Sequence, residues 1–391
     1  MKHFSAQYIF TGDASPLKRG IVSVDNDGTI VAVKDSGDNH TERPFAEFHN
    51  GIIIPGFVNC HCHLELSHMK GYLPPGKGLA DFLRNFRTKR DSRYESMLFS
   101  AAEADREMYS AGVVLCADIC NSHTTFDIKK KSRISYINLL EVFGLQPEKA
   151  GRGMEEILQL ASIARDYNIP FSIVPHAAYS ISLPLFRLLR KHTENNIITS
   201  FHFMETEAEK SFLKYYDGPL KESFHESDLL PAHPELVSDH VSAVLDEITP
   251  SGSLILVHNT FVDRNTIRKL RSRENLYWCL CPRANLHIEN RVPPLDLLTA
   301  EDCRIVIGTD SLASNKSLDI LEELKVLQAY YPEIPLQDLV KWATFNGAMA
   351  LRQENNYGNI SSGKKPGLLL LQDVDLQNMK LLPESRVKRL A

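Results

Sequence analysis

Eight short apolar runs, alternating with stretches of helical periodicity, constrain what this chain can become more than anything else in it. They lie at 52–58, 113–118, 134–141, 171–175, 197–203, 253–258, 276–281 and 304–308, with helical patterns between them, as at 153–166 and 184–192. This alternation predicts βα units around a parallel sheet. Eight such units over about 250 residues predict an α/β fold of (β/α)8 TIM-barrel type rather than an open doubly wound sheet.

The 391 residues leave room for more than a barrel. Residues 3 to 49 carry short alternating runs, and Asp25-Asn26-Asp27-Gly28 between two Val- and Ile-rich segments is a hairpin signal. After a helical segment at 336–351, Gly358 and Gly363-Lys364-Lys365-Pro366-Gly367 precede a return to β structure at Leu368. Residues 1–50 together with 355–391 are therefore expected to form a small β-sandwich, and 51–354 the barrel. The segment 217–250 exceeds an ordinary βα connection and is read as a lid or a wall of the pocket.

A formal charge of −5 gives no reason to expect nucleic acid. The one basic run, Lys129-Lys130-Lys131, is read as a solvated loop. The seven cysteines are odd in number and scattered, so they are no secreted disulfide framework, and Cys279 and Cys281 read as buried strand residues. No run approaches the ~18 apolar residues of a membrane span, and the N-terminus has no signal-peptide pattern. The expectation is a cytoplasmic protein with a small-molecule substrate, no membrane or nucleic-acid partner, and the homodimer that is the commonest default.

Chemistry-bearing residues collect at the ends of the predicted strands. Pro55-Gly56-Phe57-Val58-Asn59-Cys60-His61-Cys62-His63 places two imidazoles two residues apart, on one face of a strand. Such a pair can bind one ion; incidental histidines or a Cys60/Cys62 metal pair are the alternatives. His202 ends another run, and Glu205 comes three residues later as a candidate proton shuttle. Glu207 and Glu209 read as the acidic opening of a helix. Asp310, after Gly308-Thr309, can be an anionic ligand and a base toward bound water, or a helix N-cap. His176 and His258 also end strands. A single histidine so placed is more often structural, but five histidines and an aspartate on one rim are hard to credit to coincidence.

In this order the motifs resemble the amidohydrolase superfamily over nearly the whole chain, including the Ala343-to-Leu351 helix. The likeness is nearest to its mononuclear deaminases. It implies that His61, His63, His202 and Asp310 hold one divalent ion, zinc with iron or manganese as alternatives. It implies that Glu205 is the proton shuttle of a His-x-x-Glu motif, that His258 holds the attacking water, and that His176 faces the substrate. The strand ending in His176 offers no lysine to carboxylate, which disfavours the two-metal branches. Within the deaminases, His63-to-Ser67 with its Glu65, His202-to-Glu209, Cys281-to-Asn285 and Gly308-to-Leu318 are most similar to aminodeoxyfutalosine deaminases. That implies deamination of 6-amino-6-deoxyfutalosine, in the futalosine route to menaquinone. Ser311 stands where relatives often carry glycine, in the pocket. The acidic end of such a substrate wants a cation: Arg84, Arg87, Lys89 and Arg90 are candidates, and Arg283 another. Tyr179 and Phe203 are candidates for stacking. The alternatives are a deaminase of adenosine, S-adenosylhomocysteine, guanine or pterin, the hydrolysis of another bond such as that of a chlorotriazine, and a catalytically silent assembly protein on the same fold.

Overall fold

The computed structural model describes residues 1–35, 45–90, 92–232, 245, 248 and 252–391. Strands β1 (Lys2–Ile9), β2 (Leu17–Lys18), β3 (Ile21–Val24), β4 (Ile30–Lys34) and β5 (Glu47–Pro55) begin a small mixed sheet. The barrel strands come next: β6 (Phe57–Cys62), β7 (Val113–Cys120), β8 (Ser135–Val142), β9 (Phe171–Pro175), β10 (Ile198–Phe203), β11 (Ser253–His258), β12 (Leu276–Leu280) and β13 (Ile305–Ile307). Strands β14 (Leu368–Asp375) and β15 (Lys380–Arg389) return to the small sheet, whose order is β15-β14-β5-β1-β3-β4 with β2 on β1.

The run at 52–58 is not one barrel strand, as its uniform apolarity suggests. It divides at Gly56. Ile52 and Ile53 pair with both β1 and β14, and Ile54 and Pro55 with β14, so the small sheet extends through Pro55. The physical reason is that this sheet is covered on both faces. Ile52 and Ile54 join Leu369 and Leu371 in the core shared with the barrel, while Ile53 joins Phe4, Val22 and Leu370 in a core of its own. A strand buried on two sides loses its alternation and reads like any other apolar run. A Cβ at Gly56 would meet Pro366 O at 2.6 Å and Val114 at 2.4 Å, so the chain can cross between sheets there only without a side chain.

Strands β6 to β9 and β10 to β13 form two parallel four-stranded ladders. Single parallel bridges, Cys62 with Asp310 and Ala177 with His202, close them into a barrel. Inside each strand the pleat sorts side chains by parity. Leu115 and Ala117, Ile137 and Leu139, Ile255 and Val257, and Tyr277 and Cys279 fill the interior; their sequence neighbours Cys116, Tyr136, Leu256 and Trp278 face the surrounding helices.

Gly308 lies at the first seam. A Cβ there would stand 2.8 Å from the His61 Cβ, 2.9 Å from Cys279 Sγ and 3.0 Å from Cys281 Sγ. Gly308→Ala is expected to destabilise the fold by about 1–3 kcal/mol through overpacking, read as a lowered urea midpoint at unchanged slope.

Candidate active site

The two histidines after Asn59 owe their common aim to a fault in the strand. Three steps on β6, from Asn59 to Cys62, run against two on β7, from Cys116 to Asp118. A bulge of this kind reverses the parity of the residues beyond it. Val58 and Cys60 belong to the barrel interior and Cys62 to the outer core, while His61 and His63 bring their Nε2 atoms to 3.1 Å from each other. The Asp118 carboxylate accepts from the Leu64 N–H at 2.7 Å and fixes the chain directly after His63. Asp118 is itself ion-paired with Lys129, whose ammonium also lies 3.0 Å from Cys120 Sγ and 3.0 Å from Asn138 Oδ1. Lys129 is thus not part of a solvated run. It turns inward from the helix Phe126–Lys131 into full burial, while Lys130 and Lys131 stay exposed. A buried ammonium persists because three acceptors surround it.

At the first seam the Thr309 and Asp310 N–H groups both donate to the His61 carbonyl, at 3.0 and 3.1 Å. Asp310 takes a left-handed φ of 57°. Its Oδ1 lies 3.6 Å from His61 Nε2 and 3.4 Å from His63 Nε2, and its other oxygen accepts from Ser314. At the second seam the His202 N–H donates to the His176 carbonyl at 2.8 Å, and its Nδ1 lies 3.1 Å from the same oxygen. That contact puts the proton on Nδ1 and leaves Nε2 free. Potential ligand atoms of His61, His63 and Asp310 lie within 4.8 Å of one another, and so do those of His61, His202 and His258. Burial pushes His61 and His176 down to about 3, and it lowers His63, His202 and His258 as well. The imidazoles are therefore neutral at pH 7, the form that ligates a metal. Two groups of three buried potential donors that share His61 fit a divalent ion better than any protein group.

Glu205 lies just beyond β10. Its Oε2 accepts from the Tyr179 hydroxyl at 3.0 Å, and its Oε1 is 3.5 Å from His258 Nε2. An Asn285 amide N–H at 3.2 Å points to His258 Nδ1, so the His258 proton sits on the nitrogen facing Glu205. Burial, with the Asp310 charge second, pushes the Glu205 carboxyl up to about 8. Glu209 does more than open the helix Glu207–Tyr215. It is buried, and its carboxylate accepts from the Glu205 N–H at 3.2 Å, while Thr206 caps the helix.

Above these groups opens a cleft of about 1160 Å³, its mouth included, walled by His63, Glu65, His176, Tyr179, His202, Glu205, His258, Asp310 and Ser311. Glu65 spends both oxygens on the loop after β7, accepting from the Asn121 and Ser122 N–H groups and the Ser122 hydroxyl at 3.0–3.2 Å. The outer wall is apolar, with Leu79, Phe82, Phe86 and Phe224, and carries Arg87 and Arg90. Arg283 does not reach the cleft. It begins the helix Pro282–Glu289, where its N–H bonds Glu323 and its guanidinium bonds Ser317 at 2.7 Å. Arg84 pairs with Glu226, Lys89 reaches the Tyr72 carbonyl, and Phe203 packs against Trp278 in the core. Two cleft residues escape a reading by strand ends alone: Asn121, and Glu141 near the end of β8. A signal for Glu141 exists, since a lone carboxylate in Leu139-Leu140-Glu141-Val142 must be buried on one side or the other.

Comparison with known proteins agrees with this geometry. The profile described as the amidohydrolase family matches residues 52–387. An adenosine deaminase of Helicobacter pylori is 24% identical over 329 residues, 82% of this chain and 79% of that protein. The crystal structure of the H. pylori aminofutalosine deaminase with methylthio-coformycin superposes with a TM-score of 0.76 at 21% identity, covering 95% of this chain and 92% of that one. A zinc complex of the atrazine chlorohydrolase of Arthrobacter aurescens gives 0.72 at 15%, covering 97% and 90%.

Burial raises the Glu209 carboxyl from 4.5 to about 8, with the charge of Glu205 adding to it. A carboxyl raised in the folded state contributes its full share to stability below its unfolded pKa and loses it as the pH climbs through the folded one. Wild-type Tm should therefore fall between pH 6 and pH 9 by more than that of Glu209→Gln, which has no charge to bury; parallel melts across that range would refute the assignment.

Proposed function

This chain belongs to the amidohydrolase family, and on that footing we propose that it is a metal-dependent hydrolytic deaminase of an adenosine-like compound, with 6-amino-6-deoxyfutalosine the favoured substrate. The carrying observation is Glu205. It is a buried carboxyl that still holds its proton near neutral pH, gripped by Tyr179 and His258 beside a cluster of neutral imidazoles and Asp310. His61, His63, His202 and Asp310 would hold the ion. When bound, such an ion supplies Lewis acidity and makes water a nucleophile at neutral pH.

The protein's own groups handle protons. Glu205 donates to the ring nitrogen next to the carbon that carries the amine, which makes that carbon electrophilic. Asp310 accepts the proton that the attacking water gives up. Glu205 takes the proton of the adduct's hydroxyl and passes it to the amine, which leaves as ammonia while the ring gains a carbonyl; the proton held by Asp310 then restores Glu205, and one water is consumed for each ammonia released. Tyr179 keeps Glu205 Oε2 in place, and the His258 Nε2–H faces Glu205 Oε1, the side on which the water must arrive. The environment that raises Glu205 suits it to this double duty, since a shuttle works best with a pKa near the operating pH.

Charge supports the choice of substrate. Arg87 and Arg90, set among aromatic rings of the outer wall, suit an acidic end carried away from the reacting ring. The adenosine deaminase relative favours a second reading, in which a simpler adenosine derivative is the substrate. The complete donor set speaks against a silent assembly protein.

The test is ammonia release by zinc-loaded protein from 6-amino-6-deoxyfutalosine, adenosine, S-adenosylhomocysteine, methylthioadenosine, guanine and a chlorotriazine. Fastest turnover of the first is expected; chloride release from the last, without ammonia from any of the others, would replace deamination by dechlorination. Glu205→Gln should retain its metal and lose roughly 10²–10⁴-fold in kcat.

A further inference from the structure

Glu141 is a carboxylate held in a fixed pose with one oxygen left over. It stands near the end of β8, is buried, and forms part of the cleft wall. Its Oε2 accepts from the Asn121 amide at 3.2 Å. Asn121 is itself fixed, because its backbone N–H donates to Glu65 at 3.2 Å and its amide also reaches the Glu141 carbonyl at 3.3 Å. Glu141 Oε1, by contrast, is buried with no hydrogen-bond partner. The nearest donor is His202 Nδ1 at 3.5 Å, and that hydrogen is already directed at the His176 carbonyl. A buried carboxylate oxygen left without a donor is expensive, and native proteins rarely keep one without a use.

Around His202, Glu205 stands with His258 and Glu141 with His176. With the amine-bearing edge of a ring engaged by Glu205 and the His61–Asp310 cluster, Glu141 is left to another part of the substrate. In an adenosine-like compound the ring nitrogens that remain are acceptors, and the hydrogens that an acceptor oxygen needs are on the sugar hydroxyls.

We infer that Glu141 Oε1 is the acceptor for a sugar hydroxyl of the substrate, so that Glu65, Asn121 and Glu141 together form a recognition arm that selects nucleosides over free bases. The inference rests on the deaminase reading above and assigns Glu141 to specificity, apart from the proton chemistry. Glu65 acts through Asn121 as a positioning residue, and Glu141 touches the substrate.

The experiment compares zinc-loaded wild type with Glu141→Leu, which removes both acceptors at similar volume, and with Glu141→Gln should the first fail to fold. The probes are adenosine and its 2′-deoxy, 3′-deoxy and 2′,3′-dideoxy analogues, with metal content measured for each protein. The expected result is a loss of about 10- to 100-fold in kcat/KM for wild type on the analogue lacking the contacted hydroxyl. The variant should lose as much on adenosine and nothing further on the dideoxy compound, with metal unchanged. Equal losses on adenosine and dideoxyadenosine would overturn the contact, and a drop in bound zinc would overturn it in favour of support for His202. If wild type releases no ammonia from these probes or from 6-amino-6-deoxyfutalosine, the deaminase reading falls by itself. Calorimetric binding of adenosine and dideoxyadenosine then decides the contact: a wild-type preference for adenosine that the variant lacks upholds it, and equal affinity, or no binding, removes it.

Discussion

Closing the barrel is the constraint on which the rest depends. Neighbouring strands elsewhere share several paired residues, but the two ladders meet through one bridge at each seam. Asp310 and His202, two of the residues proposed to hold the ion, take part in those bridges. The His61 carbonyl takes two N–H groups from Thr309 and Asp310, and the His176 carbonyl takes the His202 N–H. Each of these peptide groups is buried, so leaving one unmade would cost about 1–3 kcal/mol. The bonds that shut the cylinder therefore also set the distance between the first and eighth strands, and between the fourth and fifth, at the level of the donor cluster. Asn59, reaching across to the Thr309 hydroxyl at 2.8 Å, adds a side-chain tie at the first seam.

Much of this is legible in the chain alone, because the barrel's period survives in its sequence. All eight apolar runs mark strands, and the histidines and Asp310 gather at one rim because a barrel strand delivers the residues after it to that rim. Where the sequence is silent there is a physical reason in each case. The division of 52–58 is invisible because both of its halves are buried. The bulge in β6 is invisible because a two-residue spacing of histidines looks the same with or without it. Lys129 and Glu209 depart from their expected solvated roles because charge in a sequence carries no sign of burial; only the partners Asp118 and the Glu205 N–H, far away or on the backbone, reveal it. Arg283 is held away from the cleft by Ser317 and Glu323, both more than thirty positions downstream. Of the long segment at 217–250, the helix Pro219–His225 does bring Phe224 to the cleft wall, and most of the remainder lies outside the described residues. Among the described residues no helix is long and apolar enough to cross a membrane.

Electrostatically the site is a contrast between depths. At the bottom, five imidazoles lose their charge to burial, and Glu205 and Glu209 are pushed toward neutrality for the same reason. Among the described residues that line the cleft, permanent positive charge is carried by Arg87 and Arg90 on the outer wall, and Lys129 serves Asp118 behind it. A dry base with few fixed charges makes each proton transfer there count for more than it would in water, while the outer cations can draw an anionic group without disturbing the chemistry below.

The left-handed backbone at the rim bears on how such a site can drift over evolutionary time. Asp310 and His258 sit at φ of 57° and 76°, where aspartate, asparagine and histidine are tolerated far better than longer or branched side chains. Glutamate offers the same carboxylate, but at Asp310 it would meet a conformation its side chain disfavours and would overreach the cluster. Inheritance is thus narrowed at these two positions by the path of the main chain as well as by chemistry. New specificities have an easier route through the walls, where Glu141 and the arginines stand on extended or helical backbone that many residues can share.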